Sequence, residues 1–404
     1  MLTSWQSASI KYLCSAFKDL KYILKIVVSN GQGWLSLVGW RICNLPVKFG
    51  FTQGLNVARL GLDENQIMTA AQMADRLGYD SIWAMDHSNV PQWKNAIVND
   101  AWLMLAALGA ITRNVELGTC VTDAIRRHPS AIALSAITLD RITHGRGMLG
   151  IGAGEAQNVV DFGIEFSKPV TKFKEQLEVI ERLFESDPDH RVNYSGEYYK
   201  LINACLQTKS IRKPRPPVYI AAGAPKTLEM CATYGDGWIP IGYTPELFKH
   251  HANVIRNHAK EQGRDLSNFQ FANDVDIYFT DDGEEAWNKM KNAVKVSLFK
   301  PELLKVHNIE QDSEFDFRRY FTEYAMNKPE LMEQMKRAAM KIPDSVARTA
   351  IGVGKPDEVI QMLERFIKAG TNHFIIRFWG EGYFRSIEQF GNKVIPYFNK
   401  QAKK

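Results

Sequence analysis

The sequence predicts an α/β fold, a (β/α)8 TIM barrel with a helical insertion before the last βα unit. Three observations predict it. From residue 47 onward, short apolar or β-branched runs alternate with helical stretches, which implies a parallel sheet with right-handed crossovers. The runs number eight, the count that favours a closed barrel over an open doubly wound sheet. The connection after the first run lacks G-x-G-x-x-G, which weakens a dinucleotide-binding open sheet.

The elements follow in order. Residues 47–52 read as the first strand. Residues 63–77 read as a helix capped by Asp63 and ended by Gly78. A strand at 81–85, a helix at 100–112 and a strand at 115–121 come next. Pro129 opens a helix at 129–143, where its missing N–H goes unused. A strand at 147–152 precedes a helix at 172–186, and 192–202 is an excursion with a hairpin at Ser195-Gly196. Strands at 217–222, 237–241 and 269–279 alternate with helices at 225–234 and 245–262. The segment 282–345 breaks the rhythm and is rich in Lys, Glu, Phe and Met, so it reads as a helical insertion. Ile351-Gly352-Val353-Gly354 reads as a small-residue turn into a helix at 357–369. A strand at 374–378 and a closing helix at 383–398 complete the domain, 47–398, in which no linker or internal repeat occurs.

Composition narrows the function classes. The 404 residues carry 50 Lys plus Arg and 45 Asp plus Glu, for a net charge of +5. Five basic residues and only one acid fall in 1–46, so the body is close to neutral and has no basic field for nucleic acid. Residues 1–46 read as an N-terminal extension: spurious, disordered, or an amphipathic helix over 10–28. Ile10, Leu13, Phe17, Leu20, Leu24 and Val27 recur there at helical spacing beside Lys11, Lys18 and Lys25. Membrane attachment, were there any, falls to that helix, because Lys21 and Lys25 interrupt any spanning run. Five cysteines, an odd number with no C-x-x-C pair, point away from a disulfide scaffold or zinc site and toward a reduced, cytoplasmic setting. No H-E-x-x-H occurs and the nine histidines are scattered, so no metal is expected; His250 and His251 read as a solvated pair.

A barrel places its chemistry at the C-terminal ends of its strands. The second strand ends in Asp86-His87, an acid and an imidazole placed for proton transfer, or else a capping Asp beside a surface His. The third ends in Cys120-Val121-Thr122-Asp123 with Arg126-Arg127 beyond; the thiol reads as a packer, and the arginines either bind anions or face water. The fourth ends in Gly152-Ala153-Gly154-Glu155, small residues that admit a ligand, with a carboxylate beside them. Asn158 follows. The fifth ends in Ala221-Ala222-Gly223 at a helix start, either a phosphate site or a plain tight turn.

Taken in order, these motifs resemble the bacterial luciferase-like superfamily, and within it the branch that uses the deazaflavin coenzyme F420. The residues that carry the likeness include Lys48-Phe49-Gly50-Phe51, Asp80-Ser81-Ile82-Trp83, Gly118-Thr119-Cys120-Val121-Thr122, Gly150-Ile151-Gly152-Ala153-Gly154-Glu155, Val218-Tyr219-Ile220-Ala221-Ala222-Gly223 and Gly235-Asp236-Gly237-Trp238. Cys120-Val121-Thr122-Asp123 with Arg126-Arg127, Lys168-Pro169-Val170 with Phe173, and Trp238-Ile239-Pro240-Ile241 are similar to the phthiodiolone ketoreductase-like subgroup. The resemblance implies an oxidoreductase that transfers hydride between the deazaflavin and a carbonyl or alcohol, acting as a homodimer on a small molecule. It implies a non-prolyl cis peptide at Cys120-Val121. It assigns His87 as the proton donor or acceptor, with Asp86 and Glu155 as neighbouring acids. Asp86, Cys120, Val121, Ala153, Gly154, Glu155, Asn158, Ala221, Ala222 and Gly223 are the implied cofactor contacts. Alternatives stay open: FMN with a monooxygenase reaction, a methylene-tetrahydromethanopterin reductase-like enzyme, or a non-catalytic binding protein. Phe51-Thr52-Gln53 lacks the Glu those reductases carry, and Gly242-Tyr243-Thr244 lacks the Lys that holds a sugar phosphate. Trp287, Phe299, Phe315, Phe317, Tyr320 and Phe321 in the insertion form either an apolar lid or ordinary core.

Overall fold

Eight parallel strands close on themselves in the computed structural model, which describes residues 46–90, 93–310, 328–380 and 382–402. Residues 1–45 form a separate unit, of which only an antiparallel pair, Val28–Ser29 with Trp34–Leu35, is described. The helix expected over 10–28 lies, apart from Val28, outside the described residues. The barrel strands are β1 (Lys48–Gln53), β2 (Ser81–Ala84), β3 (Glu116–Thr119), β4 (Gly147–Gly152), β5 (Val218–Ile220), β6 (Gly237–Trp238), β7 (Gln270–Phe279) and β8 (His373–Phe378). Most pair with the next in sequence; β7 pairs with β8, and β8 closes on β1 from His373↔Lys48 to Ile376↔Phe51.

Helix ends follow local chemistry. Asp63 and Gln66 form a reciprocal capping box at the start of Glu64–Leu77, and Gly78 takes the left-handed conformation that ends it. Asp100 caps Ala101–Ile111, and Thr244 caps Pro245–Glu261. The strands obey their period of two. Outward side chains pack on the helices, where Phe49 stacks on Phe374 with ring centroids 5.7 Å apart. Inward side chains fill the barrel: Trp83, Met148, Tyr219, Ile239, Ala272 and Ile375 form one buried cluster.

A polar thread runs through this interior. His373 Nε2 lies 2.8 Å from Ser81 Oγ, which also accepts from Trp83 Nε1 at 2.8 Å. Burial, aided by Lys48, pushes His373 from 6.5 down to about 3. His251 is also buried, with Nδ1 2.9 Å from the Tyr243 hydroxyl, and burial pushes it down to about 4. The expectation of a solvated His250–His251 pair is therefore corrected: His250 is exposed and His251 is core. The unfolded chain protonates both histidines near 6.5, well above the folded chain. Stability is therefore full above that pH and is lost as pH falls toward 4. His373 contributes about 3 kcal/mol to this loss. In His373→Gln, the difference between urea midpoints measured at neutral and acidic pH is expected to shrink.

Two readings change. Ile351–Gly354 is a strand, not a turn, and pairs in parallel with β7 from Asp276↔Ile351 to Phe279↔Gly354. β7 has 10 residues and β6 only 2, so β7 outruns its neighbour and offers this edge. A short helix, Leu55–Leu60, also precedes the first expected one. The insertion contains helices Gly283–Leu298, Pro301–Val306 and Pro329–Ala339. Trp287 and Phe299 are buried in the core, as ordinary packing requires. Phe315, Phe317, Tyr320 and Phe321 lie outside the described residues. Among the described residues no helix is long and apolar enough to cross a membrane.

Candidate active site

The loop after β2 carries Asp86 into a buried ionic cluster. The Thr122 hydroxyl donates to Asp86 Oδ2 at 2.6 Å, and Arg126 Nη2 lies 3.2 Å from Oδ1. Arg126 also binds Asp123 through Nε and donates to Ser88 Oγ at 2.8 Å. Arg127 reaches Asp100 at 2.5 Å and stands 3.7 Å from Asp86. The two arginines are therefore not free anion binders, because their charge is spent on three acids; Arg126 is mostly buried and Arg127 partly exposed. Asn158 Oδ1 accepts from the Ser88 N–H at 3.1 Å, which fastens the segment after β4 to the loop after β2.

Between these loops stands the bulge after β3. The Cys120–Val121 peptide is cis, as the resemblance implied. Both residues pack on the barrel cluster, and Thr122–Asp123 then pairs with β4. Glycine makes the approach possible. A Cβ on Gly150 would stand 1.9 Å from the Thr119 carbonyl oxygen, and one on Gly152 would stand 3.1 Å from Val121 Cγ2. Gly154 has a φ of 89°, turning the chain so that Glu155 follows at the mouth.

His87 Nε2 lies 3.9 Å from Glu155 Oε2; the imidazole is mostly buried and the carboxylate half-exposed. Gln157 Nε2 donates to the same oxygen. His87 Nδ1 and Gln157 Oε1 are buried without a hydrogen-bond partner. Buried polar atoms are nearly always satisfied, so such atoms at a barrel mouth suit groups that a ligand completes. An imidazole with one nitrogen beside a carboxylate and the other unpartnered can hold and pass a proton.

At the end of β5, the Ala221 N–H donates to the Ile151 carbonyl at 2.9 Å, and Trp238 Nε1 donates to the Ala222 carbonyl at 2.9 Å. The N–H groups of Gly223 and Ala224 donate to the Thr227 hydroxyl at 3.3 and 3.1 Å. The turn is thus preformed at a helix start, with Thr227 holding two of the N–H groups a phosphate would use.

Sequence reasoning missed the opposite arc. Arg377 on β8 donates to Asp276 on β7 through Nε at 2.7 Å and Nη2 at 3.1 Å, and Trp379 Nε1 donates to Asp276 at 2.5 Å. Asp274 lies beside this fork, 3.5 Å from Arg377 Nε. Burial lifts the Asp274 carboxyl to about 6, against the pull of Arg377. Lys300, from the insertion, donates to the carbonyls of Gly242 and Ser297 at 2.8 and 3.0 Å, and burial pushes its ammonium down to about 7. A signal was present: Asp274 and Asp276 stand two apart in one strand, so they share a face.

A profile of the luciferase-like monooxygenase family matches residues 50–373. The chain belongs to that family. Among its relatives, this luciferase-like chain is 28% identical over 356 residues to a phthiodiolone/phenolphthiodiolone dimycocerosates ketoreductase of Mycobacterium tuberculosis, covering 82% of this chain and 91% of that protein. It is 25% identical to an F420-dependent glucose-6-phosphate dehydrogenase of Microbacterium testaceum, covering 88% and 99%. The solved coenzyme F420-dependent tetrahydromethanopterin reductase of Methanopyrus kandleri matches with a TM-score of 0.68 and 25% identity over 88% of this luciferase-like chain and 100% of its own. An F420-dependent secondary alcohol dehydrogenase solved with an F420-acetone adduct shares the fold, with a TM-score of 0.71 and 24% identity over 86% and 98% of the two chains.

Proposed function

We propose that this chain is a coenzyme F420-dependent oxidoreductase that moves hydride between the deazaflavin and a carbonyl or alcohol substrate. The observation that carries the reading is His87 at the barrel mouth, beside Glu155 and with a buried, unpartnered Nδ1. The relatives whose names specify F420 support the cofactor.

The residues present fit that group. At the mouth, His87 Nδ1 and Gln157 Oε1 are buried without a hydrogen-bond partner, polar atoms that a bound ligand would complete. Cys120, Val121, Ala153, Gly154 and Asn158 would hold the ring; Ala221, Ala222 and Gly223 would line the phosphate end, where a phosphate would have to take the Gly223 N–H from Thr227. The bound cofactor supplies or accepts the hydride. The chain supplies the rest. His87 gives a proton to the substrate oxygen as a ketone is reduced and takes it back as an alcohol is oxidised. Glu155 steadies the charged imidazole. Asp86, held by Thr122 and Arg126, keeps the loop that carries His87 in place.

Titration of the purified protein with F420 and, separately, with FMN tests the cofactor. F420 is expected to bind at least about tenfold more tightly, a preference worth about 1.4 kcal/mol. Tighter binding of FMN, with oxygen-dependent turnover, would make the chain a monooxygenase instead.

A further inference from the structure

The barrel mouth has two arcs. The expected cofactor contacts all come from the ends of β2 to β5. The ends of β7 and β8 stand in the remaining arc, and there three charged side chains point inward. Ala272 and Ile375 belong to the interior cluster, so Asp274, Asp276 and Arg377 face the same way by the period of two. Asp274 and Arg377 each stand one inward step beyond a cluster residue, Ala272 and Ile375, and Asp276 one step further along β7. Cys120, which packs on the cluster from the bulge, is within electrostatic reach of Asp274.

This trio is unbalanced. Arg377 gives both prongs of its fork to Asp276, and Trp379 donates there too. The single Nε–H of Arg377 is spent on Asp276 at 2.7 Å, so it cannot also serve Asp274 at 3.5 Å. Asp274 is 7% exposed, and its Oδ1 accepts no hydrogen bond. A buried carboxylate oxygen without a donor costs more than a missing hydrogen bond between neutral groups. Asp274 helps to balance the buried Arg377 charge, but it takes no hydrogen bond from it.

We propose that Asp274 is a specificity residue that accepts a hydrogen bond from a hydroxyl of the substrate. The substrates are then hydroxylated ketones, or the corresponding diols, in preference to plain ketones and alcohols. The inference rests on the redox reading for the reacting carbonyl and adds a second contact on the far arc. In the reduction, hydride from the reduced cofactor bonds to the carbonyl carbon and a proton from His87 bonds to its oxygen. Asp274 keeps its bond to the neighbouring hydroxyl and neither gains nor loses an atom. A site built to bind a hydroxyl rejects an analogue lacking it far more strongly than an apolar pocket rejects an added one.

The test uses hydroxyacetone and 2-butanone, which differ only in a hydroxyl for a methyl group. The full-length wild type loaded with reduced F420 is expected to favour hydroxyacetone by about 100-fold or more in kcat/KM. Asp274→Leu is expected to lose that preference. Asp274→Asn, which keeps the shape and removes the buried charge, is expected to lower it at least about tenfold. F420 affinity should stay unchanged in both. Equal turnover of the two ketones by wild type, or an undiminished preference in the variants, overturns the proposal and leaves the redox reading standing. Dissociation constants from protein-observed NMR repeat the comparison without turnover. A binding preference for hydroxyacetone that Asp274→Leu abolishes supports the contact even if neither ketone is reduced, an outcome that removes the redox reading alone. Equal binding of the two overturns the proposal.

Discussion

His87→Ala is expected to lower kcat by roughly 10²- to 10⁴-fold, the usual worth of a positioned general acid or base. The affinity for F420 should stay within about threefold of wild type, because the role proposed for the imidazole is on the substrate oxygen rather than on the cofactor. His87 Nε2 stands 3.9 Å from Glu155 and Nδ1 is unpartnered, so its removal frees no buried charge. The fold should therefore be intact, and urea unfolding of the variant should match wild type within about 1 kcal/mol. Steady-state rates with a reactive ketone, beside a fluorescence titration of F420, check both halves. A variant that keeps full turnover removes His87 from the chemistry.

The second large effect is on stability. Arg126 is mostly buried and shared between Asp86 and Asp123, with a further bond to Ser88. Arg126→Leu leaves two buried carboxylates facing each other without their common cation. Breaking a buried ion pair in this one-sided way costs about 3–5 kcal/mol. F420 affinity should fall with it, because the loop that carries Asp86 and His87 loses its clamp. Arg126→Lys should recover only part, since an ammonium cannot reproduce the fork. Urea midpoints of the three proteins measure this; a loss below about 1 kcal/mol would mean that Arg127 alone neutralises Asp86.

The barrel was legible because its strands are buried on both faces and read as apolar runs, and because most helices carry their own start and stop signals. Asp63 and Gly78 needed no tertiary context. Ile351–Gly354 was not legible, because two glycines in four residues look like a turn. It becomes a strand only because β7 outruns β6, a fact about register in three dimensions. The same holds for charge. Arg126 and Arg127 are 40 residues or more from Asp86 in sequence, so their pairing with it depends on how the loops fold back. His251 sits on a helix whose partners include Tyr243, and nothing in His250-His251 alone says which imidazole turns inward. Asp274, Asp276 and Arg377 could have been found: two acids at a period of two in one strand, and an arginine interrupting an apolar strand, are out of place unless they meet. They lie within the strands, whereas the mouth of a barrel is read from the residues that follow them.

The central claim is that hydride passes between F420 and a carbonyl in this mouth. Its most direct test is anaerobic: the protein is mixed with reduced F420 and a panel of ketones, and the return of the oxidised cofactor's absorbance is followed. The account predicts reoxidation that requires both protein and ketone, yields the matching alcohol in equal amount, and is lost in His87→Ala. Reoxidation that occurs only when oxygen is admitted, or turnover with reduced FMN and none with reduced F420, would contradict it.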